Sequence, residues 1–169
     1  VDGSPGSPAA PTTAGEAEPT TALTAPVAGT ATPLEKVADP VFSSGALGNG
    51  VGIVPSDGHV LAPVAGTVVT AMDSGHAYGI KTDDGVEVLV HVGLDTVNLK
   101  GEGFSPRVGA GQRVGRGDPL VDVDLAAVRQ AGYDPTTVLV VTNTASLGAV
   151  VPVVDGPVTT ATTVVEIDH

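Results

Sequence analysis

Four histidines, His59, His76, His91 and His169, are the side chains that most readily carry chemistry in this chain, which has no cysteine. His169 ends the chain and His59 sits in an Asp57-Gly58-His59 turn, so both are expected to be exposed and idle. His76 and His91 differ. His76 lies in Asp73-Ser74-Gly75-His76-Ala77-Tyr78, at the start of one apolar run, and His91 closes the next, Val86-Glu87-Val88-Leu89-Val90-His91. Between them stands Thr82-Asp83-Asp84-Gly85, and Asp-Gly supplies the positive φ that tight hairpins need. With Asp84 and Gly85 as a two-residue loop, Asp83 would face Val86, and His76 would face Gly93, two positions beyond His91. Diagonal neighbours on one face of a hairpin lie within reach of long side chains. Hairpin geometry can therefore bring both imidazoles onto one surface; the bland alternative is two unrelated surface histidines.

Two close imidazoles support three chemistries. Neutral rings are common metal ligands. A ring tuned near neutral pH can act as acid or base. In the third, one ring takes a phosphoryl group as nucleophile while the other steadies the negative charge by N–H donation. Ser74, two residues before His76, could hydrogen-bond that second ring and fix its tautomer.

The elements that must position these rings are strands. Of 169 residues, 23 are Gly and 14 are Pro, too many for a helical bundle, while Val- and Thr-rich stretches are cut up by Gly, Pro and Asp. Candidate strands are His59–Ala62, Gly66–Met72, Tyr78–Thr82, Val86–His91, Leu120–Val123, Val138–Thr142, Val158–Thr160 and Val164–Ile167. A short helix is predicted at Asp124–Ala131, capped by Asp124 and ended by Gly132. Ala25-Pro26-Val27-Ala28-Gly29-Thr30 recurs 37 residues later as Ala62-Pro63-Val64-Ala65-Gly66-Thr67. Such an identity reads as repeated strand-turn chemistry or, more strongly, as an internally duplicated β-motif, and both point to a sheet-rich fold with two similar halves. The class is all-β. Residues 1–22 are rich in Pro, Ala, Thr, Gly and Ser without an apolar period, and read as a disordered linker. The folded domain is expected over 23–169. The chain starts with Val, and a linker leading nowhere suggests a piece cut from a longer protein, a start that processing or tag removal would also leave.

Charge narrows the partners. Seven basic against nineteen acidic side chains give a net charge of −12, and no basic cluster offers a footprint for nucleic acid or anionic lipid. No stretch is apolar for the roughly 20 residues a membrane helix needs, and no signal segment opens the chain.

At the histidines the sequence resembles a known family. Phe42 with Gly48-Asn49-Gly50, the second hexapeptide, His76-Ala77, and above all Val90-His91-Val92-Gly93-Leu94-Asp95-Thr96-Val97-Asn98-Leu99-Lys100-Gly101-Glu102-Gly103-Phe104 are similar to the enzyme IIA domain of the glucose and β-glucoside class of the phosphoenolpyruvate-dependent sugar phosphotransferase system. Gly115-Arg116-Gly117-Asp118-Pro119-Leu120 and Val141-Thr142-Asn143 match its later blocks. The resemblance implies an antiparallel β-sandwich or barrel-like fold built on a duplicated motif, with one or two short helices. It implies a phosphotransferase component without cofactor or metal. His91 would accept phosphate from the histidine phosphocarrier protein and pass it to a cysteine of an enzyme IIB domain for sugar uptake; His76 and Ser74 would assist. Val41, Phe42, Leu47, Met72, Tyr78, Leu89, Asp95 and Val97 would form the partner-binding rim. The implied location is cytoplasmic, or tethered to the inner face of the membrane through a permease joined at the N-terminal linker. Ala77-Tyr78-Gly79-Ile80 and Ala131-Gly132-Tyr133-Asp134 look more like the β-glucoside and sucrose branch than the free-standing glucose protein.

A rival resemblance exists. Gly58-His59-Val60-Leu61-Ala62-Pro63 and Gly111-Gln112-Arg113-Val114-Gly115 are also similar to zinc-dependent lysostaphin-type peptidases. Those need His-x-x-x-Asp and His-x-His, but Pro63 follows His59 by four and Gly93 follows His91 by two, with Leu at position 89. A biotinyl or lipoyl carrier would need a lysine on a hairpin tip, a context that Lys36, Lys81 and Lys100 lack.

Overall fold

The computed structural model describes residues 20–168 apart from 38, 46, 73, 95, 145, 146, 148, 154 and 155, and leaves the side chains of Thr20, Pro40, Val41, Val97 and Asn98 undescribed. Its chain is built almost wholly of short antiparallel strands. They are β1 (Thr20–Thr24), β2 (Gly29–Pro33), β3 (Asn49–Pro55), β4 (His59–Leu61), β5 (Gly66–Ala71), β6 (Ala77–Lys81), β7 (Glu87–Leu94), β8 (Phe104–Pro106), β9 (Arg113–Val114), β10 (Pro119–Val123), β11 (Asp134–Val141), β12 (Ala149–Pro152), β13 (Gly156–Val158) and β14 (Thr163–Asp168). Two short helices, α1 (Pro40–Ser43) and α2 (Leu125–Gln130), interrupt them. No helix among the described residues is long and apolar enough to cross a membrane.

One eight-stranded sheet runs β13-β2-β3-β11-β7-β6-β5-β9, and two three-stranded sheets, β1-β14-β12 and β4-β10-β8, complete the sandwich. The order is close to a palindrome about the central β11–β7 pair. Seven strands (β1–β3 and β11–β14) match the other seven (β4–β10) one for one, so the second unit is nested inside the first. The repeated hexapeptides sit at equivalent corners and clasp each other: the Thr24 amide donates to the Pro63 carbonyl at 3.0 Å and the Leu61 amide to the Pro26 carbonyl at 2.7 Å. Gly66 of one copy meets Val114 of β9 just as Gly29 of the other meets Val158 of β13. The duplication expected from the sequence is thus a symmetric pair of folding units.

Alternation along β7 decides what faces where. Val88, Val90 and Val92 enter the main core with Leu23, Val68, Ile80, Leu139 and Val165, while Leu89 and His91 turn to the outer face. There a second small cluster of Leu34, Val37, Phe42, Leu94, Val138 and Val140 is roofed by residues 34–48. This stretch, a 3₁₀ turn at Leu34–Lys36 followed by α1, links β2 to β3; the equivalent β5–β6 link is only residues 72–76. The extra length in one unit therefore covers the outer face beside the other unit's His91.

The hairpin register differs from the expected one. The strands pair one step from that register: Ala77, rather than Tyr78, faces His91, and Lys81 faces Glu87. The loop holds three residues rather than two. Gly85, at φ 94°, donates its amide to the Thr82 carbonyl at 3.1 Å, and the Thr82 hydroxyl accepts the Val86 amide at 2.9 Å. This is a turn followed by a left-handed residue, the usual three-residue alternative. The helix α2 forms where expected, with the Asp124 carboxylate accepting the Ala127 amide at 3.1 Å.

Strand β1 starts at Thr20, inside the stretch read as linker, because Thr20 to Ala22 pair with Asp168 to Glu166 of β14. The rest of that stretch, 1–19, lies outside the described residues. Removing residues 1–18 is expected to leave Tm unchanged. Removing 1–24 should lower it by several degrees, since Leu23 is fully buried and loss of a buried Leu side chain costs about 2–5 kcal/mol. Equal Tm for the two truncations would show that β1 does not hold the sheet.

Candidate functional site

The two imidazoles meet. Their centroids lie 5.2 Å apart at 78°, edge to face. Strict alternation from Ala77 would send His76 to the core face, but β6 begins only at Ala77, and the chain turns into it at Ser74-Gly75. The Met72 amide bonds the Ala77 carbonyl at 3.1 Å and the Gly75 amide the Met72 carbonyl at 2.8 Å, closing a tight corner that presents the His76 ring. The two rings thus share a site despite the shifted register.

Their surroundings differ. His91 is half-buried, and its Nδ1 lies 2.8 Å from the carbonyl oxygen of Gly93. A carbonyl only accepts, so Nδ1 carries the proton and the lone pair of the neutral ring sits on Nε2. The second wall of the His91 ring is Phe42 of α1, with centroids 5.0 Å apart. His76 is buried, and its Nδ1 lies 2.5 Å from the Ser74 hydroxyl. With Ser74 donating, the His76 proton stands on Nε2 as a donor. The site therefore pairs one nucleophilic nitrogen with one oriented N–H.

Burial pushes the His76 imidazole below its ordinary value of 6.5. Exposed His59 is shifted the other way, chiefly by its hydrogen bond to Asp122, 2.9 Å from its Nδ1, where Arg107 also pairs. These signs oppose each other in stability. Below pH 6.5 the unfolded chain takes up a proton that folded His76 resists, so stability falls until the folded ring also protonates. The His59 contribution is fully present below 6.5 and is lost as pH rises through its folded value. His76→Gln should flatten the acid loss of stability, and His59→Ala should deepen it slightly, since an exposed pair is screened. Urea midpoints measured against pH check this; identical profiles for His76→Gln and the parent would contradict the buried neutral ring.

The expected rim divides. Leu47 and Met72 are exposed (37% and 45%) and Leu89 is half-buried, so these offer surface. Tyr78 does not: it is fully buried in the main core, with a hydroxyl that has no hydrogen-bond partner among the described residues and a pKa pushed up to about 12 by burial. It belongs beneath the site rather than to a rim, because Tyr78 and His91 fall on opposite faces of the β6–β7 pair. Phe42 is likewise buried, as the wall of His91 rather than as open surface. Asp95 and the side chains of Val41 and Val97 lie outside the described set. Sequence reading missed the carbonyl of Gly93 as a partner of His91. The signal was there: Gly93 has the parity of His91 along β7, and its φ of 78° favours glycine. Among the described residues no three His, Cys, Asp or Glu side chains converge as a metal-ligand set.

A model of the phosphoenolpyruvate-dependent sugar phosphotransferase system EIIA 1 family matches residues 21–147. The chain is 50% identical over 119 residues to the glucose-specific EIIA component of Halalkalibacterium halodurans, covering 70% of this chain and 69% of that one. It is 46% identical over 119 residues to the β-glucoside-specific EIIBCA component of Bacillus subtilis, covering 70% of this chain but 20% of the relative. Similarity to the mannose-specific EIIBCA component of Corynebacterium glutamicum is 41% over 146 residues, 86% of this chain and 21% of the relative. The chain thus spans about a fifth of these longer relatives. Among solved structures, glucose permease IIA from Mycoplasma capricolum superposes with a TM-score of 0.79 at 37% identity, covering 88% of this chain and 96% of that one. The peptidase alternative finds no support in any of these.

Proposed function

From the premise that the chain belongs to the EIIA 1 family of the sugar phosphotransferase system, whose components carry a phosphohistidine and relay phosphoryl groups in sugar uptake, we propose that His91 is the residue that carries the phosphoryl group. The observation behind this is the pair formed by a half-buried His91, with Nδ1–H committed to the Gly93 carbonyl, and the buried His76 ring 5.2 Å away. Nε2 of His91 attacks phosphorus in line, and the P–N bond of the donor's phosphohistidine breaks as the donor ring leaves. The phosphoryl charge is met by the His76 N–H, which Ser74 orients. In the second step a cysteine thiolate attacks, the P–N bond to His91 breaks, and the ring returns to its Nδ1–H form.

The donor in this reading is the histidine phosphocarrier protein and the acceptor a cysteine of an enzyme IIB domain. Relatives named EIIBCA carry A and B components in one chain, which supports an IIB partner in the same polypeptide and residues 1–19 as the tether. Such a protein would work at the cytoplasmic face of the membrane. A shallow apolar surface suits it, since a relay needs modest affinity and fast release; Leu47, Met72 and Leu89 would supply it. Incubation with phosphoenolpyruvate, enzyme I and the phosphocarrier protein should yield acid-labile phosphate, mapped by mass spectrometry to His91. Label on His59, or no label, would overturn the reading.

A further inference from the structure

Thr96 is the described side chain near the site whose burial and bonding the relay chemistry has not yet used. It is 1% exposed, and its hydroxyl donates to the Val92 carbonyl at 2.5 Å. Its methyl lies against the neighbouring glycine: a Cβ added to Gly93 would fall 2.3 Å from Thr96 Cγ2. The Val92 amide, in turn, is held by the His76 carbonyl at 2.6 Å. One side chain therefore grips both residues of the Val92-Gly93 unit, and the carbonyl that receives the His91 Nδ1–H belongs to that unit.

We propose that Thr96 is a positioning residue: its hydroxyl holds the Val92-Gly93 backbone so that the Gly93 carbonyl keeps the proton of His91 on Nδ1 and the lone pair on Nε2. This rests on His91 as phosphoryl acceptor. A free neutral imidazole populates both tautomers, and only the form with a bare Nε2 can attack from that nitrogen. Tautomer and ring orientation are thus set before any donor arrives, two hydrogen bonds and a stretch of backbone away from the ring itself. A looser carbonyl would cost rate through both the minority tautomer and the poorer angle of attack.

Thr96→Val keeps the side chain's shape and loses the donor; Thr96→Ser keeps the donor and loses the methyl. In ¹⁵N spectra at mildly alkaline pH, the parent protein should show His91 with a protonated Nδ1 and a bare Nε2. Thr96→Val should shift both nitrogens toward averaged values and slow phosphorylation of His91 about tenfold. Thr96→Ser should recover most of the tautomer and of the rate. A merely structural role would lower Tm in both variants without moving the ¹⁵N shifts. Three results overturn the proposal: Nε2–H as the main tautomer in the parent protein, parent-like shifts and rate in Thr96→Val, or a Thr96→Ser variant as defective as Thr96→Val. The first needs no variant, so it stands even if Thr96→Val fails to fold. Ordered ¹⁵N shifts in a parent protein that takes no phosphate would refute the acceptor role of His91 and leave the action of Thr96 on the ring still readable.

Discussion

Phosphate uptake from the phosphocarrier protein is expected to vanish in His91→Ala, to the background of the labelling assay. His76 cannot take over. It is buried, its Nδ1 is engaged by Ser74, and its Nε2 in that tautomer carries a proton rather than a lone pair. His59 is poorly placed to do so: it stands on a different sheet from β7, beside the carboxylates of Asp57 and Asp122, whose charge repels a phosphoryl group. The loss should be chemical, not structural. His91 faces outward from β7, and trimming its ring removes contact with Phe42 but nothing from the main core, so the stability cost should stay within about 1–2 kcal/mol. Labelling and a melting curve on the same sample separate the two. Residual acid-labile phosphate in folded His91→Ala would end the assignment.

His76→Gln should produce a divided phenotype: phosphate is accepted on His91 but delivered to the IIB partner far more slowly. Glutamine keeps one N–H donor but lacks the ring's geometry, and the Ser74 contact that aims it would be lost. A donor matters most where charge is redistributed in the transition state, and losing one such oriented donor costs on the order of 10²-fold in rate. Ser74→Ala should show a weaker form, releasing the ring without removing it. Single-turnover transfer from the phosphorylated variant measures the effect. A parent-like rate would leave His76 as scaffold for the corner and nothing more.

Much of this site was legible in the sequence because the informative residues lie close together along the chain. The Asp-Gly turn announced the β6–β7 hairpin, and alternation along Val86–His91 separated core from surface. The one-residue register error came from Thr82, whose hydroxyl takes a backbone amide and so enlarges the loop, a competition between side chain and ladder that spacing does not reveal. Tyr78 was misplaced for a different reason: the family resemblance put it on the rim, and a resemblance does not say which face a residue takes once the strand begins at Ala77. The covering segment over 34–48 was hidden too. Among the described residues its regular pieces are a single 3₁₀ turn and a four-residue helix, too short to show a period. That Phe42 reaches His91 across the sheet is a long-range fact, carried by the difference between two otherwise matched units.

The pairing of Thr20 with Asp168 has a mechanical consequence. Both ends of the domain leave from neighbouring strands of one sheet, across the main core from the face that bears His91. A leash attached at either end would pull from the same point and leave the working face turned outward. A flexible leash of about 19 residues reaches about 25 Å on average. Over that radius a fused acceptor domain sits at an effective concentration near the millimolar range, whichever end carries the connection. Weak docking then suffices, and the order in which the components are strung along a gene matters little to the hand-over itself.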